Sequence, residues 1–466
     1  MKDIQELKDL NAKQIWHPMG HPGDLQANAP TIIDRAEGVR ITDIDGHETI
    51  DAVGGLWCAN LGYSNDVVKQ AISDQLSKLP YYSAFAGTSN APAIEAAETV
   101  VNFFKPDGMA RAFFTSGGSD SVETALRLSR QYHRLRGQPQ RIKFLSLKKG
   151  YHGTHFGGAS VNGNARFRTA YEPLLPGCYH LPSPYSYRNP FNESDPAKLA
   201  QLVAQTMEDE ILFQDPSTIA AFILEPIQGA GGVIVYHESF MKLARDICDK
   251  YGILMISDEV ITGFGRTGDW SGARHWGVQP DMMTTAKGIT SAYFPVGATL
   301  LNAKVAETFE SDQSGEGGIF HGYTYSAHPV GMAAVNACLR ETLRLDLKSN
   351  AAARGTQLYN GLKELQVEFD IIGDVRGGHG LMAAIELVSD RGTKTPMDMP
   401  SLKRAHKACY QSGTMVRMGG NNLLMSPPLT LTDADVSKIL DTSASVSVRG
   451  GDIKRLLPPM RTIVPD

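Results

Sequence analysis

The stretch ILMISDEVITGFGRTG (Ile253–Gly268) runs from unbroken apolar residues into two adjacent acids. A short apolar run of this kind reads as a strand covered on both faces, as in parallel α/β sheets. Asp258 then stands at the carboxyl end of a central strand, the edge of an open α/β sheet where ligands bind. A buried carboxylate there is costly unless a cation or several donors pair with it. Taken alone, Asp258 fits equally well as a helix cap or a surface ion-pair partner. The same stretch holds Gly263-x-Gly265-x-x-Gly268, a formal match to the dinucleotide fingerprint, with Asp281 near the spacing of a ribose acid. The residues after Gly268 rule that reading out. DWSGARHWGVQPD puts glycines and a proline where a helix and a second strand are required.

Working outward, DMMTTAKG (Asp281–Gly288) delivers Lys287 at the end of a second strand. A lysine behind a buried strand is disfavoured as core, but a desolvated amine has a lowered pKa and attacks carbonyls. Upstream, a strand ending at Phe114 leads into SGGSDS (Ser116–Ser121) and a helix with apolar spacing at Val122, Ala125, Leu126 and Leu128. Gly117 and Gly118 allow close backbone approach, and the free N–H groups of a helix start attract an anion. Asp120 and Glu123 are expected to form a capping box. A bare strand–helix turn would look the same. Gly150-Tyr151-His152-Gly153 offers an aromatic ring suited to stacking, and Glu225 ends the strand before EPIQG. His152 and His155 lack a third ligand at a known spacing, so no metal is assigned.

Short apolar runs at Arg111–Phe114, Ile142–Leu147, Ala220–Leu224, Ile253–Ser257, Met282–Thr285 and Gly297–Leu301 alternate with helical segments such as Asp66–Lys78 and Ala93–Phe104. This alternation predicts a mostly parallel α/β sheet with helices on both faces. Before it, TIIDRAEGVRITDIDGHETID reads as an antiparallel meander; after it, a helix over Gly331–Leu345 precedes strands at Leu381–Leu387 and Leu423–Met425. Leu181–Pro190 is expected to be a surface excursion. Beyond Leu440 the sequence loses helical periodicity and predicts an atypical or disordered terminus.

The chain has 466 residues, net charge −5 and no basic run, which argues against nucleic-acid binding. No stretch reaches the ~18 apolar residues of a membrane span, and the charged N-terminus lacks a signal-peptide core. Five scattered cysteines fit a reducing compartment, so a cytoplasmic location is expected.

In order, SGGSDS, GYHG, EPIQG, DEVITGFGRTG, TTAKG and HGYTYSAHP resemble the class III aminotransferases, PLP-dependent enzymes of fold type I. The match runs from GLWCANLGYS near the start to MSPPLTLT near the end. It implies a large PLP-binding domain over 56–330 and a small α+β domain from both termini, 1–55 and 331–466. The resemblance further implies that Lys287 forms an aldimine with pyridoxal 5′-phosphate and that Asp258 pairs with its protonated ring nitrogen. Tyr151 would stack on one ring face and Val260 on the other. Gly118 and Ser119 would hold the phosphate, with Thr324 from a neighbouring subunit, and Glu225 would orient the surroundings.

Within the class, Val416-Arg417-Met418 ahead of SPPL is similar to the mobile-arginine region of ω-amino acid:pyruvate and (S)-selective amine transaminases. Arg417 would clamp the α-carboxylate of a keto acid, and Trp57, Phe85 and Tyr151 would wall the substrate pocket. The expected partners are an amine donor, a keto acid such as pyruvate, and a second subunit in a homodimer or dimer of dimers. Competing readings are a taurine- or diamine-specific transaminase, an aminomutase, a decarboxylase and a non-catalytic PLP-binding protein.

Overall fold

The computed structural model describes residues 2–456, with side chains described through residue 445. Seven strands form the central sheet in the spatial order Met109–Thr115, Gly297–Asn302, Met282–Thr285, Leu254–Asp258, Ile219–Leu224, Lys143–Leu147 and Cys178–Leu181. From Met282–Thr285 to Cys178–Leu181 all neighbours are parallel; Gly297–Asn302 is antiparallel to both of its own. The expected mostly parallel sheet is therefore present.

Side-chain alternation explains why its strands are apolar throughout. Phe222, Leu224 and Met255 face one core with Leu199, Val203 and Phe240, from helices Pro196–Phe213 and Ser239–Tyr251. Ala221, Ile223 and Ile256 face the other with Val122 and Leu126 of helix Gly118–Leu135. Burying each large apolar side chain contributes roughly 1.5–3 kcal/mol, so the polar residues buried within the strands are small hydroxyls such as Ser146 and Thr299, and buried charged groups wait for the strand ends. Ligand chemistry is thereby confined to the carboxyl edge.

The meander Ile33–Glu37, Arg40–Asp43 and Glu48–Asp51 gains a parallel fourth strand, Thr414–Met415, from far along the chain. Near it, Ile372–Arg376, Ala383–Asp390, Asn422–Met425 and Arg417–Gly419 make an antiparallel sheet with Arg417–Gly419 at its edge. One core unites Ile50, Leu61 and Val68 with Leu358, Ile372, Leu402, Leu423 and Ile439.

Three sequence expectations are corrected. The last helix does not end at Leu440 but spans Asp433–Leu456; residues 457–466 of the tail lie outside the described residues. The apolar pattern breaks because Thr442 and Ser443 occupy buried positions, where the Ser443 hydroxyl donates to the Ile439 carbonyl and Thr442 meets Thr414. The stretch after Leu181 is not a surface excursion throughout: Ser183 and Tyr185 are buried, and Tyr185 donates to Glu386. Nor do Asp120 and Glu123 form a capping box. The helix begins at Gly118 with Gly117 as an N-cap that offers no side-chain acceptor. Asp120 instead accepts from the Ser116 N–H and contacts His155, while Glu123 accepts from the Gly157 N–H.

Candidate active site

The ends of three parallel strands converge on one cavity of about 130 Å³. Every residue assigned to the cofactor by the sequence resemblance lines it, except Thr324. Lys287 stands one residue, Ala286, beyond strand Met282–Thr285 and opens a single turn, Lys287–Ile289, with its own φ at +50°. That left-handed value is a strained conformation for a side-chain-bearing residue, of the kind that functional positions hold. Gly288 is required beside it, because a Cβ there would lie 2.5 Å from Asn60 Nδ2. Burial draws the Lys287 amine below its ordinary value, outweighing the nearby charges of Asp258 and Glu225. The amine has no hydrogen-bond or ion-pair partner among the described residues.

Asp258 ends its strand buried. Its Oδ2 lies 2.8 Å from His152 Nδ1, and its Oδ1 accepts from the Val260 N–H at 3.2 Å. His152 Nε2 is buried without a partner among the described residues. His152 is the site residue that sequence reasoning did not connect to Asp258. The two are 106 positions apart, and the GYHG motif carries no periodicity that would reveal the pairing. Gly153 is what lets this loop reach the helix start, since a Cβ there would sit 2.6 Å from Ser119 Oγ, and its φ is +89°. The first-turn N–H groups of that helix have no side-chain cap, which leaves them available to an anion.

Glu225 receives the Tyr151 and Gly229 N–H groups, both at 2.9 Å, and so fixes the loop that carries the tyrosine ring. Burial pushes its carboxyl up to about 7. Tyr151 packs edge-on against Phe167, with ring centroids 5.1 Å apart. Arg417 lies near Tyr151, half-buried and without a hydrogen-bond or ion-pair partner among the described residues; burial lowers its pKa. Trp57 is 4% exposed and shares an apolar cluster with Ile261, which lines the cavity. Phe85 and Thr324 are exposed and do not line the cavity of their own chain. They lie in one surface region, where Tyr81 donates to the Thr324 carbonyl and Phe85 packs near Gly322. The glycines of the rejected fingerprint serve packing: Gly265 and Gly268, both left-handed, lie against Lys348 and Ala352 of helix Leu347–Glu368.

Next to Asp258, Glu259 is fully buried and accepts from the Gly272 and Ala273 N–H groups and from Thr262. Burial raises its carboxyl from 4.5 to about 7. The folded chain therefore binds this proton more tightly than the unfolded one, so the group's contribution to stability falls as pH rises from 4.5 to 7. Below that window it has no pH dependence. In Glu259→Gln, the stability difference from wild type should change by up to about 1.4 kcal/mol per pH unit across the window. Urea midpoints of the apoprotein between pH 5 and 7 measure it, and parallel wild-type and variant curves would contradict the assignment.

An amine-bearing lysine, a buried carboxylate and an uncapped helix start around one cavity are the groups that a PLP-dependent transferase needs. The chain belongs to the class III aminotransferases: residues 24–446 match the family described as Aminotransferase class-III. It is 36% identical over 441 residues to putrescine–pyruvate aminotransferase of Pseudomonas aeruginosa, covering 94% of each chain. It is 35% identical over 447 residues to taurine–pyruvate aminotransferase of Bilophila wadsworthia, covering 94% of this chain and 96% of the relative. Among solved structures, an amine transaminase from an uncultivated Pseudomonas species in its PLP-bound form superposes with a TM-score of 0.92 at 44% identity. The match covers 94% of this chain and 99% of that one. PLP is thus the cofactor, and the chain is an enzyme that exchanges amino groups between amines and keto acids. Among the described residues, no helix is long and apolar enough to cross a membrane.

Proposed function

We propose that this aminotransferase moves an amino group from a primary amine or ω-amino acid to pyruvate, giving alanine, in two half-reactions at one site. The observation that carries this reading is the half-buried, unpartnered guanidinium of Arg417 beside Tyr151. A partly desolvated arginine without a protein carboxylate beside it is satisfied by a bidentate α-carboxylate. A donor lacking that group leaves the arginine free to turn away. The pyruvate aminotransferases among the relatives support the same acceptor.

In this reading Lys287 holds PLP and afterwards moves the proton through its Nζ, taking it from the amine-bearing carbon of the substrate. Bound PLP supplies an electron sink for the pair left behind. Asp258 keeps the ring nitrogen protonated, Tyr151 and Val260 cover the two ring faces, and Glu225 fixes the tyrosine loop. Gly118 and Ser119 take the phosphate, and Trp57 and Tyr151 wall the substrate side. Thr324 and Phe85 act on the site of a second copy, so the active unit is a homodimer or larger. Residues 56–330 make the PLP-binding domain, and 1–55 with 331–466 the small one. Five free cysteines support a cytoplasmic setting.

The test is acceptor choice in Arg417→Ala. Loss of a charged bidentate contact should cut kcat/KM for pyruvate about 10–100-fold while use of propanal, which has no carboxylate, changes little. Equal losses on both acceptors would sink the clamp. A donor panel of β-alanine, taurine, putrescine and an arylalkyl amine, run with pyruvate, then defines the donor class.

A further inference from the structure

We infer that Arg376 is a positioning residue for acceptor selection, because it anchors the hairpin that carries Arg417. The inference rests on the proposed role of Arg417 as the carboxylate clamp. Arg417 lies on the edge strand Arg417–Gly419, which pairs with Asn422–Met425 through only three residue pairs, from Arg417↔Leu424 to Gly419↔Asn422. So short a two-stranded ladder is marginal by itself and does not define the place of an edge side chain. The strand is held at its two ends instead. Before it, His406 Nε2 lies 2.9 Å from the Val416 carbonyl. At the turn, Asn422 Nδ2 donates to the Gly419 carbonyl at 2.9 Å, and Asn422 Oδ1 in turn accepts from the Arg376 guanidinium.

Arg376 closes strand Ile372–Arg376 and is nearly buried. Besides Asn422, its fork donates to the Gly232 carbonyl at 2.6 Å, to Asp374 at 2.6 Å and to Glu386 at 3.1 Å. Glu386 also accepts from Arg188 at 2.6 Å, so two cations and two carboxylates balance within the cluster. The Gly232 contact is the informative one. Gly232 belongs to the turn opened by Gly229, whose N–H donates to Glu225, the same carboxylate that fixes the Tyr151 loop. One planar guanidinium thus ties the Arg417 hairpin to the wall that carries Tyr151. A lysine has a single compact ammonium and cannot span Gly232, Asn422 and Glu386 together. Because a shift of about 1 Å in a substrate-holding group is enough to cost up to about 100-fold, loosening this tie should act first on the acceptor that needs Arg417.

Asn422→Ala and Arg376→Lys, purified as holoenzymes, test this with pyruvate and propanal as alternative acceptors. Asn422→Ala should raise KM for pyruvate about tenfold and change KM for propanal by less than about twofold. Arg376→Lys should act in the same direction and more strongly. The absorbance of bound PLP and the melting temperature of Asn422→Ala should stay at wild-type values, which a general loosening of the fold would not allow. An unchanged pyruvate KM in Asn422→Ala, or equal losses on both acceptors, overturns the inference; if Arg376→Lys fails to fold, Asn422→Ala decides alone. Arg417→Ala in the same assay separates the two levels. If Arg417→Ala discriminates between acceptors and the anchor variants do not, only the anchoring falls. If it does not discriminate, the clamp and the anchoring fall together.

Discussion

Lys287→Ala should lower kcat for any donor–acceptor pair by about 10⁴-fold or more, because in the proposed mechanism it removes both the covalent attachment point and the proton carrier. The melting temperature of the apoprotein should not fall. The amine is desolvated and has no partner among the described residues, so its removal relieves a burial cost and breaks no hydrogen bond. Alanine keeps the residue type non-glycine at φ +50°, so the backbone strain is retained and the comparison reports the side chain alone. A small primary amine added at high concentration should restore part of the rate by supplying the missing base from solution. Retention of more than about 10% of wild-type kcat, above what loss of a general base allows, would remove Lys287 from the chemistry. Loss of stability together with activity would instead make it a structural residue.

The sequence reading located the cavity because its chemistry sits at breaks in strong patterns. Apolar strands stop at Thr285 and just before Asp258, and a lysine or acid after such a run stands out against the hydrophobic background. The strand Met282–Thr285 and the helix Asp66–Lys78 were legible to the residue. What escaped was pairing across distance. Nothing local says that His152 faces Asp258, that Thr414–Met415 completes the N-terminal sheet, or that Arg376 reaches Asn422. Each of these joins segments whose own patterns are complete without the partner. The last helix escaped for another reason. Its buried face changes from Val436 and Ile439 to Thr442 and Ser443, so the hydrophobic period fades while hydroxyls satisfied nearby keep the helix packed. Asp120 and Glu123 carried the spacing of a capping box, yet both reach outward to neighbouring segments and leave the helix start open. At that point the local spacing rule gives way to contacts with neighbouring segments.

If Asp258 pairs with the ring nitrogen as proposed, Asp258→Asn should lower kcat by about 10²–10³-fold, the range for losing one preorganised electrostatic contact at a reacting centre. The side chains are nearly the same shape, so the variant separates charge from packing. In wild type, His152 Nδ1 and the Val260 N–H each engage one carboxylate oxygen. A carboxylate has about four acceptor positions, so two protein contacts still leave a lone pair for the protonated ring nitrogen of PLP. Asparagine has one oxygen to share among three donors, and its Nδ2 would meet either His152 or the cofactor donor-to-donor. If Nδ2 turns toward the cavity, the ring nitrogen loses its acceptor and the electron sink weakens. If it turns toward His152, that histidine must present its Nδ1 as an acceptor and move its proton to Nε2, which is buried without a partner among the described residues. Either way PLP should dissociate faster on dialysis, and its absorbance should titrate differently from wild type, while the fold survives. His152→Asn should produce a weaker version of the same spectral change, because it removes a contact to Asp258 and leaves the charge in place. Wild-type turnover in Asp258→Asn within about tenfold, against a loss of at least 10² expected for such a charge, would mean that the ring nitrogen finds its counter-charge elsewhere.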